Sequence, residues 1–136
     1  MSAPKIRVGL VQMSMAVEKA PNLDKAEAML REAASRGAEL VCLPELFASQ
    51  YFCQSEDSAL FDLAESIPGP TTTRIGEVAK ALKISVVTPL FERRAAGLYH
   101  NSLVVNGPDG SIVGTYRKMH IPDDPLFYEK YYFTPG

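Results

Sequence analysis

The stretch from residue 6 to residue 44 restricts the fold of this chain more than any other. Ile6-Arg7-Val8-Gly9-Leu10-Val11-Gln12-Met13 alternates polar and apolar residues and then turns continuously apolar, the pattern of a strand buried on at least one face. Leu23, Ala26, Met29, Leu30, Ala33 and Ala34 recur at helical spacing, with charged residues on the opposite side. Asn22 is placed to cap this helix, and Gly37 to end it in a left-handed conformation. Leu40-Val41-Cys42-Leu43 is a short, wholly apolar strand stopped by Pro44. Strand, helix and strand in this order imply a parallel pair joined by a crossover helix.

The rest of the chain extends that unit. Ser58–Ala64 reads as a short helix inside a mixed segment, and Ile67-Pro68-Gly69-Pro70 breaks the chain. Thr71 or Thr72 can cap a second amphipathic helix whose buried face carries Ile75, Val78, Ala79 and Leu82. Ile84–Thr88 is a third strand. Leu98–Val105 and Ser111–Tyr116 flank Asn106-Gly107-Pro108-Asp109-Gly110, so they read as a hairpin. Beyond Lys118, three prolines and five aromatics between Phe127 and Phe133 describe an ordered loop rather than a helix. Two helices and about five strands make a layered α/β architecture. The chain closes on Thr134-Pro135-Gly136 with no element to cover the sheet. The expectation is a part of a larger domain, with apolar surface from Val41, Val86 and Val104 left exposed.

Composition excludes several classes. With 136 residues, 46% hydrophobic and 22% charged, the chain has ordinary globular usage rather than that of a disordered segment. A net charge of −2 without a Lys/Arg cluster argues against a nucleic-acid partner. No apolar run has the length of a membrane span, and Met1–Arg7 shows no secretory h-region. The expectation is a soluble, cytoplasmic protein. The glycines at 107, 110 and 114 are wrongly spaced for a dinucleotide or phosphate loop. Cys42 and Cys53 match neither a disulfide framework nor a zinc ligand set. Cys42 reads as a buried, inert thiol and Cys53 as a loop residue, neither with a base beside it.

Two polar residues stand where strands end, the usual place for sites on open α/β sheets. Glu45 follows Leu43-Pro44, and Lys118 follows the strand ending at Tyr116. If those strands are near neighbours, the two side chains converge at one edge. A carboxylate held partly out of water can take a proton near neutral pH, and an ammonium beside it can face a developing oxyanion. From position alone a structural ion pair, or two solvated loop residues, is the commoner arrangement.

The words around these residues carry a resemblance. Pro44-Glu45-Leu46-Phe47 and Tyr116-Arg117-Lys118-Met119-His120-Ile121-Pro122 resemble the nitrilase superfamily of carbon–nitrogen hydrolases, and the separation of 73 residues agrees. The resemblance covers essentially the whole chain. It implies an α-β-β-α layered sandwich of which residues 1–136 are about the first half, the N-terminal part of a single domain continuing beyond Gly136. It also implies a Glu-Lys-Cys triad in which Glu45 is the general base and Lys118 stabilises the tetrahedral intermediate. The nucleophilic cysteine would lie outside this chain, so residues 1–136 alone should not turn over.

Tyr51-Phe52-Cys53-Gln54, His120-Ile121-Pro122-Asp123 and Tyr128-Glu129-Lys130-Tyr131-Tyr132-Phe133-Thr134-Pro135-Gly136 are similar to the N-carbamoylputrescine amidase branch. In that branch an acid at the position of Glu129 orients the lysine and can contact substrate. The residue-level alternative makes Glu129 a surface partner of Lys130 or Arg117. Tyr51, His120 and Asp123 are candidate substrate contacts. Each has a plainer reading: packing for Tyr51, a loop-fixing hydrogen bond for His120, and a turn for Asp123. Asn101 is expected to satisfy backbone groups near the site. The resemblance implies a small ureido or amide substrate, no metal or organic cofactor, and a homo-oligomer. Alternatives are another carbamoyl-amino-acid hydrolase, an ω-amidase, or a non-catalytic interaction module that lacks the nucleophile.

Overall fold

β1 (Val8–Leu10), α1 (Lys19–Ser35) and β2 (Leu40–Cys42) form the expected unit, with Val8 beside Leu40 and Leu10 beside Cys42 in parallel. This computed structural model describes residues 5–136, so the polar lead-in at Met1–Pro4 lies outside the described residues. After a 3₁₀ turn at Ser58–Leu63 come α2 (Pro70–Leu82), β3 (Ser85–Ala95), β4 (Leu98–Asn106), β5 (Ile112–Arg117) and a single helical turn, α3 (Glu129–Tyr132). The five strands lie in the order β1-β2-β3-β4-β5, parallel through β3 and antiparallel after it.

Local chemistry explains the helix ends, with two departures from expectation. α1 starts at Lys19, not after Asn22, because Pro21 falls in the first turn, where no intrahelical N–H is needed. Asn22 is therefore inside the helix and buried. Its amide accepts from Ala16 N at 2.7 Å and donates to Ala16 O at 2.9 Å and Ala48 O at 3.1 Å. It ties the helix to the loop that follows Glu45 instead of capping it. Gly37 ends α1 at φ 85°, as its position requires. α2 begins with Pro70 at its first position, so neither threonine is the cap. Thr72 Oγ1 accepts from Gly69 N at 2.9 Å, and Glu65 accepts from Thr71 N at 2.8 Å.

β3 runs well past Thr88, to Ala95, through Pro89. Pro89 is tolerated because its missing N–H would face β2, and β2 has ended there: the last bond across is Leu43 N to Val87 O, at 3.1 Å. Further along, the loop residue Glu65 takes over that edge, donating to Phe91 O at 2.9 Å and accepting from Arg93 N at 2.7 Å. Pro89 sits in the gap between the two. α3 is likewise a departure, one helical turn where the aromatic-rich segment reads as loop.

α1 and α2 share one face of the sheet. Ala26 and Leu30 of α1, Ile75, Val78 and Ala79 of α2, Val41 and Val86 pack into one aliphatic cluster that also takes in Phe47. Complete burial of residues such as Leu30 and Ile75 is worth about 1.5–3 kcal/mol each. Val41, Val86 and Val104 are thus fully buried, against the expectation that they lie bare. The uncovered surface is the opposite parity, since alternate side chains point to opposite faces. Val8 and Leu10 of β1 are 49% and 81% exposed, and Tyr116 of β5 shares that face. β1 is accordingly buried only on its Gly9 side, where a Cβ would already meet Ala33, Ala38 and Val41. Cys42 has the same open parity and is half-buried rather than enclosed.

At the far ends of β3 and β4 this second face is covered, by loops. Phe91 and Tyr99 meet Phe52, Phe61, Tyr132 and Phe133, with ring centroids such as Phe52–Phe91 at 5.0 Å and Phe91–Phe133 at 5.1 Å. The site lies beside this aromatic roof. Among the described residues no helix is long and apolar enough to cross a membrane.

Candidate active site

Three connections bring the site residues together. β2 delivers Glu45 through Leu43-Pro44. Leu46, buried and left-handed at φ 51°, then turns the chain back, and Phe47 N bonds Pro44 O at 3.2 Å. A left-handed leucine costs about 1–2 kcal/mol, which the burial of Leu46 and Phe47 offsets. β5 delivers Lys118, whose backbone N–H bonds Asn101 O of β4 at 2.9 Å. α3 delivers Glu129, buried beneath the aromatic segment.

Lys118 Nζ donates to Glu45 Oε1 at 3.1 Å and to Glu129 Oε2 at 2.8 Å. Tyr51 donates its hydroxyl proton to the other Glu129 oxygen at 3.0 Å. The two carboxylates are not alike. The Glu45 side chain is 54% exposed and that of Glu129 4% exposed. Burial draws the Lys118 ammonium toward losing its proton, but the hydrogen bonds it donates to Glu129 and Glu45 outweigh this and leave its pKa raised. Lys118 is therefore a fixed cation at neutral pH. Burial, and next the Glu129 carboxylate, push the Tyr51 phenol above its ordinary range, so it remains a donor.

Sequence reasoning missed three features. Asn101 does not serve backbone groups with its side chain; its Nδ2 donates to Glu45 Oε1 at 2.6 Å. The signal was present, because His100-Asn101-Ser102 puts three consecutive polar residues in an otherwise apolar strand, and buried polar groups need partners. Arg117, weighed as a partner of Glu129, instead grips Glu92 through Nε at 2.7 Å and Nη2 at 2.6 Å, with Ser102 adding a third bond at 2.6 Å. Cys53 is enclosed near Tyr51 and Glu129. Burial foremost, and then Glu129, push its thiol up to about 12.

The other expected contacts stand apart. His120 and Asp123 are exposed, and among the described residues neither side chain makes a hydrogen bond that would pin the loop. His100 does that work: its Nδ1 lies 2.9 Å from Thr134 O. Among the described residues no group of three or more His, Cys, Asp or Glu side chains is arranged to hold a metal ion.

A mixed sheet with helices on one face, and a Glu–Lys–Glu cluster where its strands end, defines a layered α/β protein with a polar site at the sheet edge. The chain belongs to the carbon–nitrogen hydrolase family of the nitrilase superfamily, whose profile matches residues 7–136. An N-carbamoylputrescine amidase of Oryza sativa subsp. japonica is 40% identical over 133 residues, which take in 97% of this chain and 44% of that protein. A citrullinase of Francisella tularensis is 41% identical over 133 residues, 96% of this chain and 46% of that protein. The crystal structure of a carbon–nitrogen hydrolase from Helicobacter pylori superposes with a TM-score of 0.92 at 44% identity, covering 96% of this chain and 45% of that one. The chain thus spans less than half the length of these relatives, and its one helix layer and one sheet match the corresponding portion of the solved fold.

Proposed function

We propose that the full-length protein carrying this chain hydrolyses a carbon–nitrogen bond of a small ureido or amide compound, N-carbamoylputrescine foremost, giving putrescine, carbon dioxide and ammonia. The observation that carries the reading is Lys118 Nζ, held between a half-exposed carboxylate and a buried one at 3.1 and 2.8 Å. The exposed carboxylate is open to an incoming group, and the buried one holds the ammonium in place. Glu45, facing out, takes the proton of an attacking thiol. Lys118 faces the oxygen of the ureido carbonyl as it becomes an anion, and Glu129, with both oxygens engaged, orients Lys118. The proton on Glu45 passes to the departing ammonia, and water then resolves the carbamoyl thioester.

The thiol in this scheme comes from beyond residue 136, and residues 1–136 are the N-terminal part of one nitrilase-like domain. Two things support that: the uncovered sheet face, and relatives about twice as long. Tyr51 is retained as a wall of the substrate pocket, and the exposed His120 and Asp123 as further candidate contacts. A homo-oligomer in the cytoplasm completes the proposal, and the two unpaired cysteines fit a reducing compartment. The similarity to a citrullinase favours citrulline as the second candidate, because it adds one carboxylate to the same ureido chain.

The test is ammonia release by the full-length enzyme from N-carbamoylputrescine and from citrulline. Preference for the first supports the amine substrate; preference for the second assigns the ureido amino acid. Turnover of neither moves the assignment to a different amide or to a non-catalytic module. With the working substrate, Glu45→Gln should lower kcat/KM by about two to four powers of ten and Lys118→Ala by about two to three. The double variant should be little worse than the worse single one, because the groups act together. Glu129→Gln should be milder. Near-normal turnover in a folded Glu45→Gln or Lys118→Ala protein would make the cluster structural.

A further inference from the structure

The hydrogen bonds on Glu45 are unevenly distributed. Both donors that reach it, Asn101 Nδ2 at 2.6 Å and Lys118 Nζ at 3.1 Å, end on Oε1. Among the described residues no donor reaches Oε2. Glu129 differs, since one oxygen takes Tyr51 and the other takes Lys118. A carboxylate with one oxygen doubly held and the other open has a fixed plane and one free site for a proton. A carboxylate engaged on both sides has none to spare.

We infer that Asn101 is a positioning residue that aims Glu45 at the thiol whose proton it takes. Three observations converge on this. Its side chain is buried on β4, 5% exposed, and shares its strand face with the aromatic roof of Phe91 and Tyr99, so the amide cannot swing away. Its 2.6 Å bond is the shorter of the two on Glu45 and comes from a rigid strand, whereas Lys118 reaches across on a flexible stem. Its backbone carbonyl accepts from Lys118 N at 2.9 Å, so one residue sets the register of β5 beside β4 and the orientation of Glu45 together. Asn101 therefore fixes the plane of the Glu45 carboxylate by holding Oε1 and leaves the other oxygen free for the thiol.

This inference rests on the proposed role of Glu45 as base, and the experiment separates the two. kcat and KM are measured separately for the full-length enzyme and for Asn101→Ala, Asn101→Asp and Glu45→Gln, using ammonia release from N-carbamoylputrescine, or from citrulline if that is the compound turned over. kcat should fall by about ten- to a hundredfold in Asn101→Ala, because the carboxylate is no longer held in one plane. It should fall at least as far in the isosteric Asn101→Asp, which loses the donor and sets a second carboxylate against Glu45. KM should change little in either, with the loss in kcat. Asn101→Asp preserves the shape of the side chain, so it stands as the test if Asn101→Ala fails to fold. If Glu45→Gln is inactive while the Asn101 variants keep the original kcat and lose only thermal stability, Asn101 is a structural residue and the inference fails. If Glu45→Gln stays active, the base assignment fails first.

Discussion

The helix-covered face and the loop-covered far end of the same sheet are built on different terms. Under α1 and α2 the core is mostly aliphatic, and the polar groups buried there, such as Thr88 and Asn106, which bond each other at 2.9 Å, are neutral. At the far ends of β3 and β4 the cover is loop, and its backbone must be served by side chains. Tyr132 OH donates to Ser55 O at 2.6 Å and accepts from Asp57 N at 2.9 Å, and His100 reaches Thr134 O. Charged groups are buried at this end, Glu92 and Glu129. The difference locates the chemistry: where loops replace helices, the side chains that pin the loops also make a site.

The most severe test of this contrast lies on the helix side. Leu30 is fully buried in the aliphatic cluster. Leu30→Ala should lower the stability of the full-length protein by about 2–5 kcal/mol, seen as a fall in denaturation midpoint. The molecules that remain folded should keep kcat/KM within about threefold, because nothing at the site touches Leu30. A loss of activity without a loss of stability would erase the distinction between scaffold and site.

Glu92 probes the far end with a smaller effect. Burial alone would raise the pKa of its carboxyl, but the bonds from Arg117 and Ser102 outweigh that and hold it below the ordinary glutamate value. The folded-state pKa is the lower one. The pair therefore contributes its full stability above the unfolded value of about 4.5, and this is lost as pH falls through the folded value. Arg117 is partly exposed, which keeps the contribution toward the low end of a buried pair, so Glu92→Gln should cost about 1–3 kcal/mol at pH 7. The same substitution should flatten the decline of stability between roughly pH 5 and 3. An unchanged acid profile would mean that Arg117 and Glu92 hold each other no better than water does.

The contrast also decides what could be read from residues alone. Periodicity exposes the helix-covered unit, because apolar stripes and Gly37 act locally, and the order of strand, helix and strand leaves one topology. The failures are non-local. Asn22 looks like a cap until Pro21 is given a place in the first turn. Pro89 looks like a strand end unless the early stop of β2 is known. Val41, Val86 and Val104 are apolar either way, and only the side on which the helices lie decides which parity is bare. Glu45, Lys118 and Glu129 are legible as motif words, but their convergence depends on β4 holding β5 in register. Asn101, which contacts Glu45 from that strand, has no motif of its own.

The smallest effect is expected at Cys53, and it guards the whole scheme. Among the described residues this thiol is the cysteine near Glu129, Tyr51 and Lys118, so it is the natural rival to the proposed nucleophile beyond residue 136. Its surroundings argue against it. Burial first, and the Glu129 carboxylate second, raise its pKa to about 12, and the pull of Lys118 does not reverse them. On the order of one molecule in 10⁵ would then carry the thiolate at pH 7, whereas nucleophilic cysteines are tuned toward neutrality. Cys53→Ala should therefore leave kcat/KM of the full-length enzyme within about twofold and cost about 1 kcal/mol for the small void it opens. Iodoacetamide should label Cys53 slowly in the native protein, at a rate indifferent to substrate. A hundredfold loss of turnover in folded Cys53→Ala, or substrate protection of Cys53 from the label, would place the nucleophile within these residues and remove the need for one supplied from elsewhere.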